Sequence, residues 1–307
     1  MKVYLDNAAT TPIDQEVLKT MFSVMENHYG NPSSIHSHGR EVRTLVEKAR
    51  KSVAQILNTA PANIFFTSGG TEADNMAIRC AIEDFGIKHA ITSKIEHHAV
   101  GHTLVHLEQQ GKIKLSYVDV DEKGSINYHH LEELLKDNER SLVSLMHANN
   151  ELGTLTDIEK VGEICEQYNA IFHSDTVQTM GHYEHDLSKL KVHFLVCAAH
   201  KLHGPKGVGF LYVNPSIKIK PMIFGGAQER NMRGGTENVY GIVGLSKALE
   251  MAYADMEHHQ NHIQTLKDYM ITELQKAIPE IGFNGETEAN KSLYTVLNVC
   301  FPKMDMA

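Results

Sequence analysis

The stretch HFLVCAAHKLHGPKGVGFLYV, residues 193–213, holds two β-rich runs, HFLVCA (193–198) and VGFLYV (208–213). Between them lies a short loop with Gly204, Pro205 and Gly207, and one lysine, Lys201, stands just behind the first run. Runs about ten residues apart predict an antiparallel pair. A charged amine is expensive to hold against apolar neighbours. A lone lysine at a strand end is most simply a surface residue, so the meaning of Lys201 depends on the rest of the chain.

Working outward, further β-rich runs precede this pair: IFFT (64–67), AITS (90–93), LSYVDV (115–120), LVSLM (142–146) and AIFHSD (170–175). Most are separated by stretches long enough for a helix. In EVRTLVEKARKSVAQIL, Val42, Leu45, Val46, Ala49, Val53, Ile56 and Leu57 form the apolar stripe of an amphipathic helix. In DIEKVGEICEQY (157–168), Ile158, Val161, Ile164, Cys165 and Tyr168 share a face. Strand and helix in alternation predict an α/β fold with a mainly parallel, mixed sheet flanked by helices. Beyond residue 242 the pattern turns helical almost to Pro279, and LYTVLNVCF (293–301) reads as a new strand holding Cys300. The expected division is a large α/β domain over 13–259 and a smaller α+β domain from 1–12 and 260–307.

Composition excludes several classes. The 307 residues carry a formal net charge of −9 with acids and bases interspersed, which offers no basic footprint for nucleic acid. No stretch approaches the roughly 20 apolar residues of a membrane span, and the start MKVYLDNAATTP has no apolar signal region, so a cytoplasmic protein is expected. Cys80, Cys165, Cys197 and Cys300 are far apart and the 20 histidines scattered, which indicates neither a disulfide framework nor a metal site.

Ligands of open α/β sheets collect at the carboxyl ends of the strands. There the chain places SGGTEADNMAI (68–78), small and hydroxyl residues opening a helical pattern, which suits either an anion cradle or an ordinary turn with Thr71 as N-cap. HANNELG follows the strand at 142–146, and SDTVQ places Asp175 at a strand end. Each has an ordinary capping or turn explanation. A phosphate cradle, a carboxylate and a lysine together are the parts that pyridoxal phosphate needs: a covalent link, a partner for its ring nitrogen and an anion site.

These residues also make the chain recognisable. It closely resembles the cysteine desulfurases of the NifS/IscS class, fold-type I pyridoxal-phosphate enzymes. The resemblance runs through YLDNAATTP, GNPSSIHSHGR, FTSGGTEADNMAI, SKIEHHAV, MHANNELG, HSDTVQ, AAHKLHGPKGVGFLYV and MRGGTEN, in order. It implies that Lys201 carries the cofactor, that His97 stacks on its ring and shuttles protons, and that Asp175 pairs with the ring nitrogen. Asn150 and Gln178 would reach the ring hydroxyl side, while Gly70, Thr71 and His200 bind the phosphate, joined by Thr236 from the neighbouring subunit of a homodimer. The implied reaction takes sulfur from L-cysteine, leaves alanine, and passes an enzyme persulfide to sulfur-acceptor proteins such as an iron–sulfur scaffold. A selenocysteine lyase is the alternative enzyme of the same fold type.

Two departures from the family pattern stand out. Ala198 occupies the position where the family has a phosphate-binding serine. The family's persulfide cysteine and substrate-carboxylate arginine lie beyond the LNV strand, and the sequence stops at Ala307. Residues 1–307 alone are therefore expected to bind cofactor without completing turnover.

Overall fold

The computed structural model describes residues 2–301 apart from Asp137 and Glu139. Its centre is a seven-stranded sheet in the order β1-β7-β6-β5-β4-β2-β3. The strands are β1 (Ile64–Thr67), β2 (His89–Thr92), β3 (Lys114–Tyr117), β4 (Leu142–Ser144), β5 (Ile171–Asp175), β6 (Phe194–Ala198) and β7 (Gly209–Val213). Only β7 runs against its neighbours, pairing antiparallel with both β1 and β6. The carboxyl ends of β1, β4, β5 and β6 therefore open on one edge of the sheet. Each expected run overlaps its strand; β2 and β3 begin one residue before their runs, and β3 stops three residues short of the end of its run.

Both faces of the sheet are covered, which is why these runs are nearly continuous in apolar residues. Alternation divides them: Leu195 and Cys197 of β6 point into one core cluster, Phe194 and Val196 into the other. The first cluster is closed by α1 (Gln15–Asn27), α2 (Ser37–Ile56), α6 (Ile158–Gln167) and α7 (Val239–Ala254). The second is closed by α3 (Gly70–Phe85) and α4 (His98–Gln109). Between β3 and β4 lies α5 (Tyr128–Lys136), which buries Leu131 and Leu135 in the first cluster. Fully buried Phe172, Phe194 and Phe210 each contribute about 1.5–3 kcal/mol of burial. The starts of α1 and α6 are set by side-chain caps: Asp14 accepts from Glu16 N–H at 2.7 Å and Asp157 from Lys160 N–H at 3.0 Å.

After α7 the chain continues in α8 (Met256–Ala277) and a two-stranded antiparallel sheet, β8 (Gly282–Asn284) with β9 (Asn298–Cys300). The strand expected over 293–301 is thus confined to 298–300. Residues 293–296 instead form a turn, with Val296 N–H on Leu293 O at 3.2 Å, and Leu293 N–H donates to Gly153 O at 2.7 Å. These backbone bonds consume the groups a longer strand would have used. The final stretch of the expected small domain, 302–307, lies outside the described residues.

Candidate active site

The carboxyl ends of β1, β4, β5 and β6 surround a cavity of about 280 Å³, lined among others by Gly70, Thr71, His97, Asn150, Asp175, Gln178, His200 and Lys201. Eight of the nine residues expected at the site meet there. Thr236 does not: in its own chain it sits outside this cavity, beside Ser68, Gly207 and Arg233.

Lys201 ends the 3-10 turn Ala199–Lys201 that follows β6. Its amine donates to the carbonyl of Ala8, which also accepts from Gln178 Nε2 at 3.0 Å. The amino-terminal arm is held there by Thr11, whose N–H and Oγ1 both donate to His200 O at 2.9 Å. Burial pushes the Lys201 amine below its ordinary value, against the pull of Asp175, Asp6 and Glu151.

Asp175 closes β5 and is 6% exposed. Its Oδ1 accepts from Val177 N–H at 2.9 Å. Burial raises its pKa, while that N–H and the nearby His97 and Lys201 favour its charge. Asn150 Nδ2 donates to Glu151 Oε1 at 3.0 Å. His97 is the N-cap of α4, where its Nδ1 accepts from Ala99 N–H at 3.2 Å. That bond assigns the ring proton to Nε2.

The amino terminus of α3 is the candidate anion site. Its N-cap is Gly69, at φ 151°, with no side chain capping the first turn. Thr71 is the second helical residue, so the alternative of Thr71 as N-cap is wrong. A glycine at the cap leaves backbone N–H groups and the positive end of the helix dipole available to an anion. A Cβ on Gly70 would come within 2.8 Å of Val177 Cγ2, so the close approach of helix to β5 loop needs glycine here. Thr71, His200 and Lys206 border the same opening. His200 Nδ1 lies 3.2 Å from Thr10 Oγ1.

Three site residues escaped the sequence reading. Asp74 of α3 lines the cavity and is 1% exposed. His173 of β5 sits behind it, with Nε2 at 3.3 Å from Asp74 Oδ1. Glu96 accepts from Met146 N–H at 3.0 Å and Ser93 Oγ at 3.1 Å, and burial pushes its pKa up to about 8. The available signal for His173 was strand alternation, which puts it on the face of Asp175.

The chain is similar to known proteins along nearly its whole length. The aminotransferase class-V family matches over residues 3–307. Cysteine desulfurase IscS of Dictyoglomus turgidum is 45% identical over 92% of this chain and 72% of its own. A solved NifS-like protein superposes with a TM-score of 0.94 at 39% identity, covering 99% of this chain and 83% of its own. SspA, solved in complex with cysteine, gives a TM-score of 0.84 at 32% identity over 98% of this chain and 84% of its own.

Proposed function

The chain belongs to the class-V aminotransferase family as a pyridoxal-phosphate-dependent cysteine desulfurase, and from that premise we propose that the Lys201 cavity is its catalytic centre. The observation that carries this reading is the meeting of a half-buried lysine, a buried aspartate and an uncapped helix start in one cavity. The donor set fits pyridoxal phosphate: the α3 start with Thr71, His200 and Lys206 for the phosphate, Asp175 for the ring nitrogen, and Lys201 for the carbonyl carbon. When bound, the cofactor supplies an electron sink for charge developing at the substrate carbon.

The protein's own groups do the rest. Lys201, whose amine burial shifts toward the neutral form, takes a proton from one substrate carbon and returns it to another. Asp175 would pair with the ring nitrogen and keep it protonated. His97, with its proton on Nε2, faces the cavity from the α4 start and is placed to move a proton at the substrate. Asn150 and Gln178 would hold the ring from the hydroxyl side. Sulfur leaves L-cysteine to an attacking thiolate, and alanine remains.

That thiolate is supplied by none of the three buried cysteines. Burial pushes the Cys80 thiol up to about 12 and raises Cys165 and Cys197 as well. Half-buried Cys300 is set in β9 opposite Gly282 and is held by that pairing. A homodimer would bring Thr236 of the partner subunit to the phosphate. In support, the 29–36 and 224–236 segments, tied by Gln228 Nε2 to Ser33 Oγ at 3.1 Å, expose Tyr29, Ile35 and Phe224. Persulfide transfer to an iron–sulfur scaffold protein and a cytoplasmic location belong to the same reading; among the described residues no helix is long and apolar enough to cross a membrane. The division into 13–259 and the remainder is likewise proposed, with β8 and β9 as the sheet of the smaller part.

The test is reconstitution with pyridoxal phosphate followed by borohydride reduction. Wild-type protein should retain covalently fixed cofactor and Lys201→Ala none; fixation surviving in Lys201→Ala would refute the assignment.

A further inference from the structure

We propose that Asp74 is a positioning residue for the cofactor's ring nitrogen: a neutral carboxylic acid between His173 and Asp175 that leaves the pair one negative charge and keeps it on Asp175. The proposal rests on the reading of Asp175 given above.

Asp74 stands four residues after Gly70, on the helix face that packs on β5. One of its carboxylate oxygens, one of Asp175 and a ring nitrogen of His97 all lie within 4.8 Å of one another. Its Oδ1 is buried and has no hydrogen-bond partner; His173 Nε2, at 3.3 Å, is close but out of line for one and is itself unpartnered. An ionised carboxylate in that position would be a buried charge without a donor.

The titratable groups around it decide where the proton sits. On β5 are His173 and Asp175; from the β2–α4 loop come Glu96 and His97; after β6 comes Lys201, facing Asp175. Two groups stand near enough to act as a counter-cation for Asp74: His97, which Asp175 shares, and His173. His173 is fully buried, its Nδ1 lies 2.8 Å from Ser144 Oγ, and burial pushes its pKa down to about 3, so it is neutral. Asp175, in contrast, has the Val177 N–H, His97 and Lys201. Of the three carboxyls in this region, Glu96 accepts from Met146 N–H and Ser93 Oγ and Asp175 from Val177 N–H, whereas Asp74 Oδ1 accepts from no donor. Burial, then the charges of Asp175 and Glu96, raise Asp74 well above the carboxylate range. Two neighbouring carboxyls whose surroundings drive their proton affinities apart take different roles. Asp74 holds the proton, and Asp175 holds the charge that meets the ring nitrogen.

The experiment is infrared spectroscopy of protein labelled with carboxyl-¹³C aspartate, both cofactor-free and loaded. At pH 7 a single protonated aspartate C=O stretch is expected in both forms, lost in Asp74→Asn and retained at pH 6 in Asp175→Asn. No such band in wild type, as an Asp74–His173 ion pair would give, overturns the proposal, and so does a band that survives Asp74→Asn. Should Asp74→Asn fold poorly, the wild-type and Asp175→Asn spectra still decide. In the loaded protein, ionisation of Asp74 at high pH should perturb the cofactor absorbance, and that part of the alkaline change should be absent in Asp74→Asn; a profile unchanged by the substitution overturns the positioning role. Failure of wild-type protein to bind cofactor would instead refute the reading of the cavity, with the cofactor-free spectrum still reporting on Asp74.

Discussion

Replacing Glu229 by glutamine should cost about 3 kcal/mol of stability, although the residue is remote from the Lys201 cavity. Glu229 and Arg50 form a buried bidentate pair, Nη1 to Oε2 at 2.7 Å and Nη2 to Oε1 at 2.8 Å, with both side chains 2% exposed. Oε2 also accepts from Phe66 N–H of β1 at 2.8 Å, and the guanidinium lies 4.7 Å from the Phe66 ring centroid. The pair anchors a segment in which Glu229, Arg230 and Asn231 all have positive φ, a conformation unfavourable for residues with a Cβ. Glutamine keeps the shape, but its amide turns an N–H toward either a guanidinium or the Phe66 N–H. Removing one member of a buried pair costs about 3–5 kcal/mol. The lower end applies because Glu47 still reaches Arg50 Nε at 3.0 Å. With an m-value of about 3 kcal/mol/M, the urea midpoint should fall by about 1 M. Equilibrium urea unfolding of both proteins, followed by circular dichroism, measures the difference. A loss below about 1 kcal/mol would mean that solvent or Glu47 already neutralises Arg50, and the anchoring argument would be wrong.

Ala198→Ser restores a hydroxyl at the carboxyl end of β6, in the cavity wall near Gly70; pyridoxal phosphate should bind about tenfold more tightly, worth about 1.4 kcal/mol, and an unchanged Kd by absorbance titration would remove the phosphate site from this position. Glu96→Gln should gain stability over wild type as pH rises: the raised pKa of Glu96 means that its stabilising protonated form is fully kept below about 4.3 and lost as pH climbs through about 8. Melting curves at pH 5 and 8.5 check this, and a difference between the two proteins that does not grow with pH refutes it. After incubation with L-cysteine, peptide mass spectrometry should find no persulfide on Cys80, Cys165, Cys197 or Cys300, whereas near-stoichiometric modification of Cys300, abolished by Cys300→Ser, would make β9 a sulfur carrier.

The sheet was legible because its strands other than the edge strand β3 are buried on both faces and so appear as short continuous runs, and the β6–β7 hairpin betrayed its direction by loop length alone. Asp175 was legible because it closes such a run, and Lys201 because it follows one. The strand at 293–301 was overextended because alternation registers side chains and is blind to backbone bonding; Leu293 gives its N–H to Gly153, far away in sequence. The amino-terminal arm posed the same difficulty, since nothing in LDNAATTP announces that Ala8 will accept from both Lys201 and Gln178.

Asp74 shows where local reading stops and what replaces it. In TEADNMAI it is one polar residue in an amphipathic helix, and on a surface helix such a residue is simply solvated. Two facts change that: α3 begins at the cofactor edge of the sheet, and β5 turns His173 and Asp175 toward the same side. Helix period and strand period then converge, so a residue that neither pattern marks becomes an acid 1% exposed beside a second acid. The cost of such burial is paid by fixing a proton, and the proton in turn decides which carboxylate faces the cofactor. A charge assignment at the centre of the site thus follows from the register between one helix and one strand, which no single segment of the sequence contains.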